Sequence, residues 1–436
     1  MAADAQVSDP APHQLGSGAR ASRTPLPLFL LLVVLVSACN MGERLLIGIV
    51  AEPIKREFGL TDAMMGLLGG TTFALVYPPL GLPIARLADR SNRRNILAWC
   101  LGIWSLATAA GGMVTGYWQL AASRLGVAAG EAGFVPPTHS LISDYVSEAR
   151  RARAFSTIAA GAALGSLMAN IAGGVLTDHY GWRAAFLSLG IGGLVLAVLV
   201  RLLIREPARV AKSAPGTPRP SALGRIVRNR AIMLCIAGSA LHLMYQYAVA
   251  TWAAPFYVRT FHLSLFQAGV LIGAGGALAT LLGGVAGGFV GDWFAARDRR
   301  WLAFWPGLTV ALGAPFGAIG FLAGDIHFVF ASLMIATFLN ALYQSSTYAL
   351  VQAEVGGESR ATAAAFMIFV QNLVGLGLGP LLVGVLSDRL TAGGLGDHGL
   401  AVALAAANIL NLLGAALFFA SGLATPRQPK SPGSQT

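Results

Sequence analysis

Long apolar runs separated by short polar, mostly basic stretches set the pattern of this chain. They fall near residues 26–50, 61–88, 95–115, 117–146, 153–177 and 183–204, and again near 230–258, 264–291, 301–323, 327–353, 361–388 and 399–423. A run of about 20 apolar residues, rising about 1.5 Å each, is the length at which a helix crosses a hydrocarbon layer roughly 30 Å thick. The pattern predicts twelve membrane helices, six on each side of Arg205 to Arg230. That middle stretch is rich in Pro, Arg, Ser and Gly and reads as a linker that cannot be buried. The expected organisation is a disordered tail over 1–24, a six-helix bundle over 25–204, a linker over 205–229, a second bundle over 230–423 and a tail over 424–436.

Charge interrupts the pattern where it matters. In the first run, Asn40-Met41-Gly42-Glu43-Arg44 sets a carboxylate beside a guanidinium, and in the fourth, Arg124 and Glu131 lie seven residues apart, on one helix face. A centred Glu or Arg is disfavoured in a bilayer by roughly 2.5–3.5 kcal/mol, so these helices must turn the groups toward a protein interior, where such residues are functional by default. Helical rise puts Arg124 at the depth of Glu43 and Glu131 nearer the membrane centre, so Arg124 is expected to meet Glu43. Proton uptake by Glu43 or Glu131 when a neighbouring base withdraws is the coupling chemistry this set allows. A static ion-pair knot between the two helices is the alternative.

Composition supports a membrane class. The chain of 436 residues is 55% hydrophobic and 11% charged, with a mean hydropathy of +0.66. Its net charge of +11 sits in short clusters between apolar runs, without an aromatic-interleaved basic surface, which argues against nucleic acid as a partner. Cys39, Cys100 and Cys235 all fall inside apolar runs, so no disulfide or metal spacing exists, and no nucleophile triad or nucleotide loop points to an enzyme. The bases cluster in alternate loops, at Arg90-Arg93-Arg94, Arg150-Arg151-Arg153, the linker, and Arg297-Arg299-Arg300, with Lys55, Arg56, Arg183, Arg259 and Arg389 opposite. Retention of bases on the inner side then puts both termini in the cytoplasm of a multi-pass protein, expected in a bacterial inner membrane.

The halves repeat. Ala85-Arg86-Leu87-Ala88-Asp89-Arg90 after the second run is echoed by Gly288-Phe289-Val290-Gly291-Asp292 after the eighth. Duplicated bundles around a central linker mark secondary transporters whose site lies between the halves at mid-membrane. On these residues the chain resembles the major facilitator superfamily over nearly its whole length. Leu87-Ala88-Asp89-Arg90-Ser91-Asn92-Arg93-Arg94 is similar to that superfamily's cytoplasmic signature, with Ala85 where Gly is usual, and Gly181-Trp182-Arg183-Ala184-Ala185-Phe186 is similar to its entry into the sixth span. Asn40-Met41-Gly42-Glu43-Arg44 and Arg124-Leu125-Gly126-Val127-Ala128-Ala129-Gly130-Glu131-Ala132 resemble the spinster family of lipid transporters, Glu43 standing in the usual Asp position. The resemblance implies an all-α fold of two pseudo-symmetric six-helix bundles. It also implies spans one, four, seven and ten around a central cavity, and proton-linked movement of lysophospholipids or sphingoid phosphates by alternating access. No cofactor beyond a coupling proton is expected, and the protein is expected to be monomeric.

In the second half, His242 and Gln246 share a face with Tyr245 beside them, and Asn340, Tyr343 and Gln344 follow helical spacing. Together with Asn40, Arg44 and Arg124 they are candidate contacts for an amphipathic substrate, with interhelical hydrogen bonding the open alternative for the neutral groups. Asp89 is expected to cap a helix of the opposite half near Glu358-Ser359-Arg360, with Arg90 and Arg93 pairing neighbouring acids, as a cytoplasmic gate. A carrier of small organic anions, sugars or drugs is the alternative to a lipid carrier.

Overall fold

A computed structural model of the protein describes residues 24–147, 150–207, 221–355 and 360–426, and the regular structure in them is helical. Ten helical stretches are long and apolar enough to cross a membrane. In chain order, spans one and two are Leu26–Ile49 and Asp62–Arg90, spans five and six Arg153–Tyr180 and Trp182–Leu203, and spans seven, eight and nine Arg230–Phe261, Leu265–Ala295 and Trp301–Leu322. Ile326–Glu354, Thr362–Leu395 and His398–Ala424 are spans ten, eleven and twelve. The expected third and fourth spans are more polar: Arg93–Gly111, and the pair Tyr117–Glu131 and Val135–Tyr145.

Within each half the same partners pack. Span one lies on five and three on six, as seven lies on eleven and nine on twelve. Glycine permits the closest of these approaches, since Gly161 and Gly165 rest on the backbone of Val34 and Ala38, where a Cβ would collide.

Several spans are not continuous α-helices. Span four breaks at 132–134, and Pro136, which cannot donate to the preceding turn, opens its second segment. Span ten breaks at 342–343, the corresponding place in the other half, without a proline. Spans two, eight and eleven each contain a π-helical turn, at Leu67–Thr71, Leu271–Gly275 and Gln371–Leu376. Such turns concentrate at functional sites.

The halves meet along three seams, span one against seven, two against eleven and five against eight. Gly66 faces the Pro380 carbonyl, Gly384 the Asp62 backbone and Gly174 the Leu265 backbone, all toward the end remote from the chain termini. We call this the clasped end, and the other, with Arg90 to Arg94, the basic end.

The linker departs from expectation at both its edges. Arg93 Nε and the Arg94 amide donate to Glu206 at 2.7 and 2.9 Å, and Arg93 Nη2 donates to the Pro207 carbonyl at 3.3 Å, so the linker's first residues are docked on the bundle. Ser221–Arg228 is a helix that buries Ile226 completely against the second bundle. Residues 208–220 and, of the tails, 1–23 and 427–436 lie outside the described residues.

Candidate functional site

Span one carries Asn40, Glu43 and Arg44 into the interior of the first bundle, against spans three and four. Glu43, Arg124 and Glu131 are fully buried, and Arg44 alone of the four charged groups keeps some side-chain exposure, 13%. Arg44 grips Glu131 through Nε at 3.0 Å and Nη2 at 2.6 Å, both on Oε2. Asn40 lies beside the same carboxylate. The guanidinium lies over the rings of Phe73 and Tyr77, at 4.6 and 4.8 Å, and reaches the seam opposite Tyr247, Thr251 and Leu376 of the second half.

Glu43 is held differently. Its Oε1 accepts from Cys39 Sγ at 2.9 Å and Ser105 Oγ at 3.0 Å, and its Oε2 bonds the Thr108 hydroxyl. Among the described residues no base lies within ion-pair distance of this carboxylate. Arg124 donates instead to the Glu43 backbone carbonyl at 3.3 Å, while its Nε and Nη2 and Glu131 Oε1 are buried without a hydrogen-bond partner.

The expected Arg124–Glu43 contact is therefore met in depth and missed in partner. Helical side chains lean toward the N-terminus of their own helix. Spans one and four run in opposite directions, so Glu43 leans toward Cys39 and the basic end while Arg124 leans toward the clasped end. They pass each other. The same lean carries Arg44 down to Asn40 and Glu131, which closes the pair that depth alone had not suggested.

In the second half, most of the candidate contacts turn inward. His242 Nδ1 lies 2.8 Å from Asn411 Oδ1, and its ring packs edge-on to Tyr343 at 4.3 Å. Tyr245 points at Gly317 and Asn408 in spans nine and twelve, and Asn340 is 1% exposed against Gly313. These four groups bind spans seven, nine, ten and twelve together. Gln246 lines a small cavity of about 70 Å³ with Thr337 and Asn340, and Gln344 is exposed. Facing Arg44 is a different stripe of span seven, Tyr247 and Thr251, with the Tyr247 hydroxyl donating to Asn372 at 3.3 Å. Reading the His242 face as the cavity face chose the wrong side of the helix, since at about 100° per residue Tyr247 and Thr251 stand roughly 140° and 180° round from His242.

At the basic end, Arg93 pairs with Asp144 and Glu206, both of its own half, so it ties span three to four and to the linker rather than one half to the other. Asp89 and Arg90 are exposed in the last turn of span two. The cap expected of Asp89 on Glu358 and Ser359 lies outside the described residues.

Apart from Thr71, whose hydroxyl donates to the Gly377 carbonyl at 2.6 Å, the hydrogen bonds that cross between halves among the described residues gather at the clasped end. Asp388, from span eleven, accepts from the Asp62 and Ala63 amides at 2.8 Å each, and so caps the start of span two. Asp178, from span five, accepts from the Leu265 and Phe266 amides at 3.2 and 2.8 Å, capping span eight. Arg259 of span seven donates through two nitrogens to Asp62 at 2.8 Å and through Nε to Glu52 at 2.8 Å, while Lys55 at 2.5 Å and Ser387 at 2.6 Å complete the Asp62 carboxylate. None of this was anticipated, although a signal stood in the chain: Gly174-Val175-Leu176-Thr177-Asp178 and Gly384-Val385-Leu386-Ser387-Asp388 are one motif twice. Its glycine admits the facing helix and its aspartate caps it.

Comparison with known proteins bears on the family and the fold. A sequence profile of the Major Facilitator Superfamily matches residues 32–380. An MFS-type efflux pump of Mycolicibacterium smegmatis is 33% identical, over 82% of this chain and 84% of its own. Human protein spinster homolog 1 is 27% identical, over 81% of this chain and 72% of its own. The crystal structure of a bacterial homolog of the human lysosomal transporter Spinster, in an inward-facing and unoccupied conformation, superposes with a TM-score of 0.84 at 28% identity, covering 91% of this chain and 97% of that one. A fold of two clasped six-helix bundles, a charged first half and these relatives converge: the chain belongs to the Major Facilitator Superfamily as a spinster-like membrane transporter.

Proposed function

We propose that this transporter is driven by protons and carries amphipathic anions with a long apolar part, lysophospholipids or sphingoid phosphates among them. One observation carries the reading. Arg44, the partly exposed member of the charged set, is ion-paired to Glu131 at the seam and surrounded by Phe73, Tyr77 and Tyr247. An anionic head entering the seam competes with Glu131 for Arg44, and the aromatic wall receives the apolar part. Once Arg44 turns to substrate, Glu131 must take a proton or the two free N–H groups of Arg124.

Glu43 supplies a second proton position. Thr108 has one hydroxyl proton and two acceptors in reach, the Trp104 carbonyl at 3.0 Å and the Glu43 carboxyl. A protonated Glu43 donates to Thr108, which donates to Trp104, and every proton then has an acceptor. Transport reorients the clasped end toward the outside in this reading, and each proton crossing gains about 2.3 kcal/mol per 100 mV.

A second reading, small organic anions, sugars or drugs, is favoured by the narrowness of the pocket at Arg44, about 20 Å³. Purified protein in liposomes with an internal pH dye separates the two. Lysophospholipid, and not an organic acid, is expected to move protons with wild type. Glu43→Gln and Glu131→Gln are each expected to abolish proton movement while Arg44-dependent substrate binding persists. Unchanged coupling in both variants would overturn the proton reading.

A further inference from the structure

Five Lys or Arg side chains stand at the clasped end. Four are matched to acids: Lys55 to Asp62, Arg56 to Glu52, Arg183 to Glu57 and Arg259 to Asp62 and Glu52. Arg389 is exposed and, among the described residues, has no acid within ion-pair distance. The neighbouring Asp388 has both oxygens committed to the amides of span two.

Arg389 also closes one end of a groove. Leu378, Leu382 and Val385 recur at i, i+4 and i+7 along span eleven, Arg389 follows at i+11, and Met244 of span seven contributes to the wall. The groove encloses about 530 Å³ and is apolar throughout apart from the guanidinium. It does not open into the Arg44 pocket. Leu376, Pro380 and Gly384 of span eleven meet span two, and Leu378 and Leu382 stand two residues, about 200°, round the helix from Leu376 and Pro380, which directs them to the bilayer. Leu378 and Leu382 are accordingly 46% and 41% exposed.

An apolar channel on the membrane face, ending in an unmatched cation at the level of the helix ends, has the charge and shape of one membrane component. We propose that it seats an acyl chain of an anionic membrane phospholipid, with the phosphate headgroup on Arg389. The lipid would sit one residue from Asp388 and so beside the seam of spans two and eleven. The site is separate from the transported substrate and does not depend on its identity. A guanidinium that merely extends to the interface, or complements the end of its helix, would show no choice among headgroups.

The test uses purified, delipidated full-length protein titrated with phosphatidylglycerol or with phosphatidylcholine of the same chains, bound lipid being counted by native mass spectrometry. Wild type is expected to hold one phosphatidylglycerol about fivefold more tightly than phosphatidylcholine, the preference that one base near an anionic headgroup supplies. Arg389→Gln is expected to remove that preference and Arg389→Lys to keep most of it. Leu382→Trp, which fills the groove, is expected to weaken both lipids. The basic end also attracts anionic lipid, so the difference between wild type and Arg389→Gln reports this site. Equal binding of the two lipids by wild type, or a preference unchanged in Arg389→Gln, overturns the proposal. Thermal melts verify folding, and if Arg389→Gln fails to fold, retention of full binding by Leu382→Trp is the overturning result.

Discussion

At the seam of spans five and eight, Asp178 caps the start of span eight, and Ser264 and Gln267 complete a capping box there. At the seam of spans eleven and two, Asp388 caps the start of span two in the same way, but the capped residue is itself Asp62, buried beneath Arg259, Lys55 and Ser387. One motif thus makes two clasps, a bare one of helix capping alone and a reinforced one that adds ionic bonds. Capping is local and indifferent to what else the halves do, whereas the Arg259 network joins span seven to span two through Asp62 and, through Glu52, to the short helix Ala51–Phe58 that follows span one. The reinforced clasp should therefore decide which end of the transporter is closed, and the bare one should guide how the halves register.

The largest expected break in this symmetry is Arg259→Gln. It leaves Asp62 and Glu52 buried side by side without their main cation, a loss on the order of 3–5 kcal/mol for a buried pair deprived of one partner. Spin labels across the two-eleven seam should show the clasped end opening, and an unchanged distance distribution would place the closure elsewhere. Next come the caps. Asp388→Ala and Asp178→Ala each remove acceptors from a helix start, an effect of about 1 kcal/mol. The Asp388 variant should open the clasped end more, because it also loosens Asp62, and equal effects would mean that the ionic network adds nothing. Gly384→Ala and Gly174→Ala press a methyl group on the facing backbone at each seam, and both should lower thermal stability by similar amounts. The smallest effect is expected at Glu57, at the same end but within one half. Arg183, then Trp182, hold its exposed carboxyl below the usual range, so its contribution is present above the unfolded pKa and fades as pH falls through the folded one. Glu57→Gln should leave melting at neutral pH within error, and a fall comparable to Arg259→Gln would remove the distinction between exposed and buried pairs.

The helical architecture was legible because bilayer thickness leaves its mark as run length, and the charged set because Glu and Arg are so costly in apolar runs. What periodicity conveys is which residues share a face. It does not convey which way a side chain leans, and that is why Arg124 was matched to the Glu43 carboxylate when the pairing runs from Arg44 to Glu131. Nor does it say which face of span seven is turned to the other half. His242, Tyr245 and Asn340 carry the polar atoms that suggest a binding wall, yet they are buried inside the second bundle, where His242 Nδ1 meets Asn411, while Tyr247, a residue of equal chemical promise, meets Arg44. The clasps were missed for another reason. In the sequence Lys55, Arg56, Arg183, Arg259 and Arg389 mark only orientation, and the repeated Gly-Val-Leu-Thr/Ser-Asp sits at helix ends, where apolar patterns fade.

The interruptions in spans four and ten give each bundle a column made of two rods. Glu131 ends the upper rod of the first column and Asn340 lies in the last turn of the upper rod of the second, so both belong to the portion fixed near the clasped end, while Val135–Tyr145 and Gln344–Glu354 form the lower rods. A jointed column can swing its lower rod without dragging the upper one. The basic end can therefore widen or narrow while Arg44 and Glu131 keep their grip, and the ionic state of the centre need not change each time that end flexes.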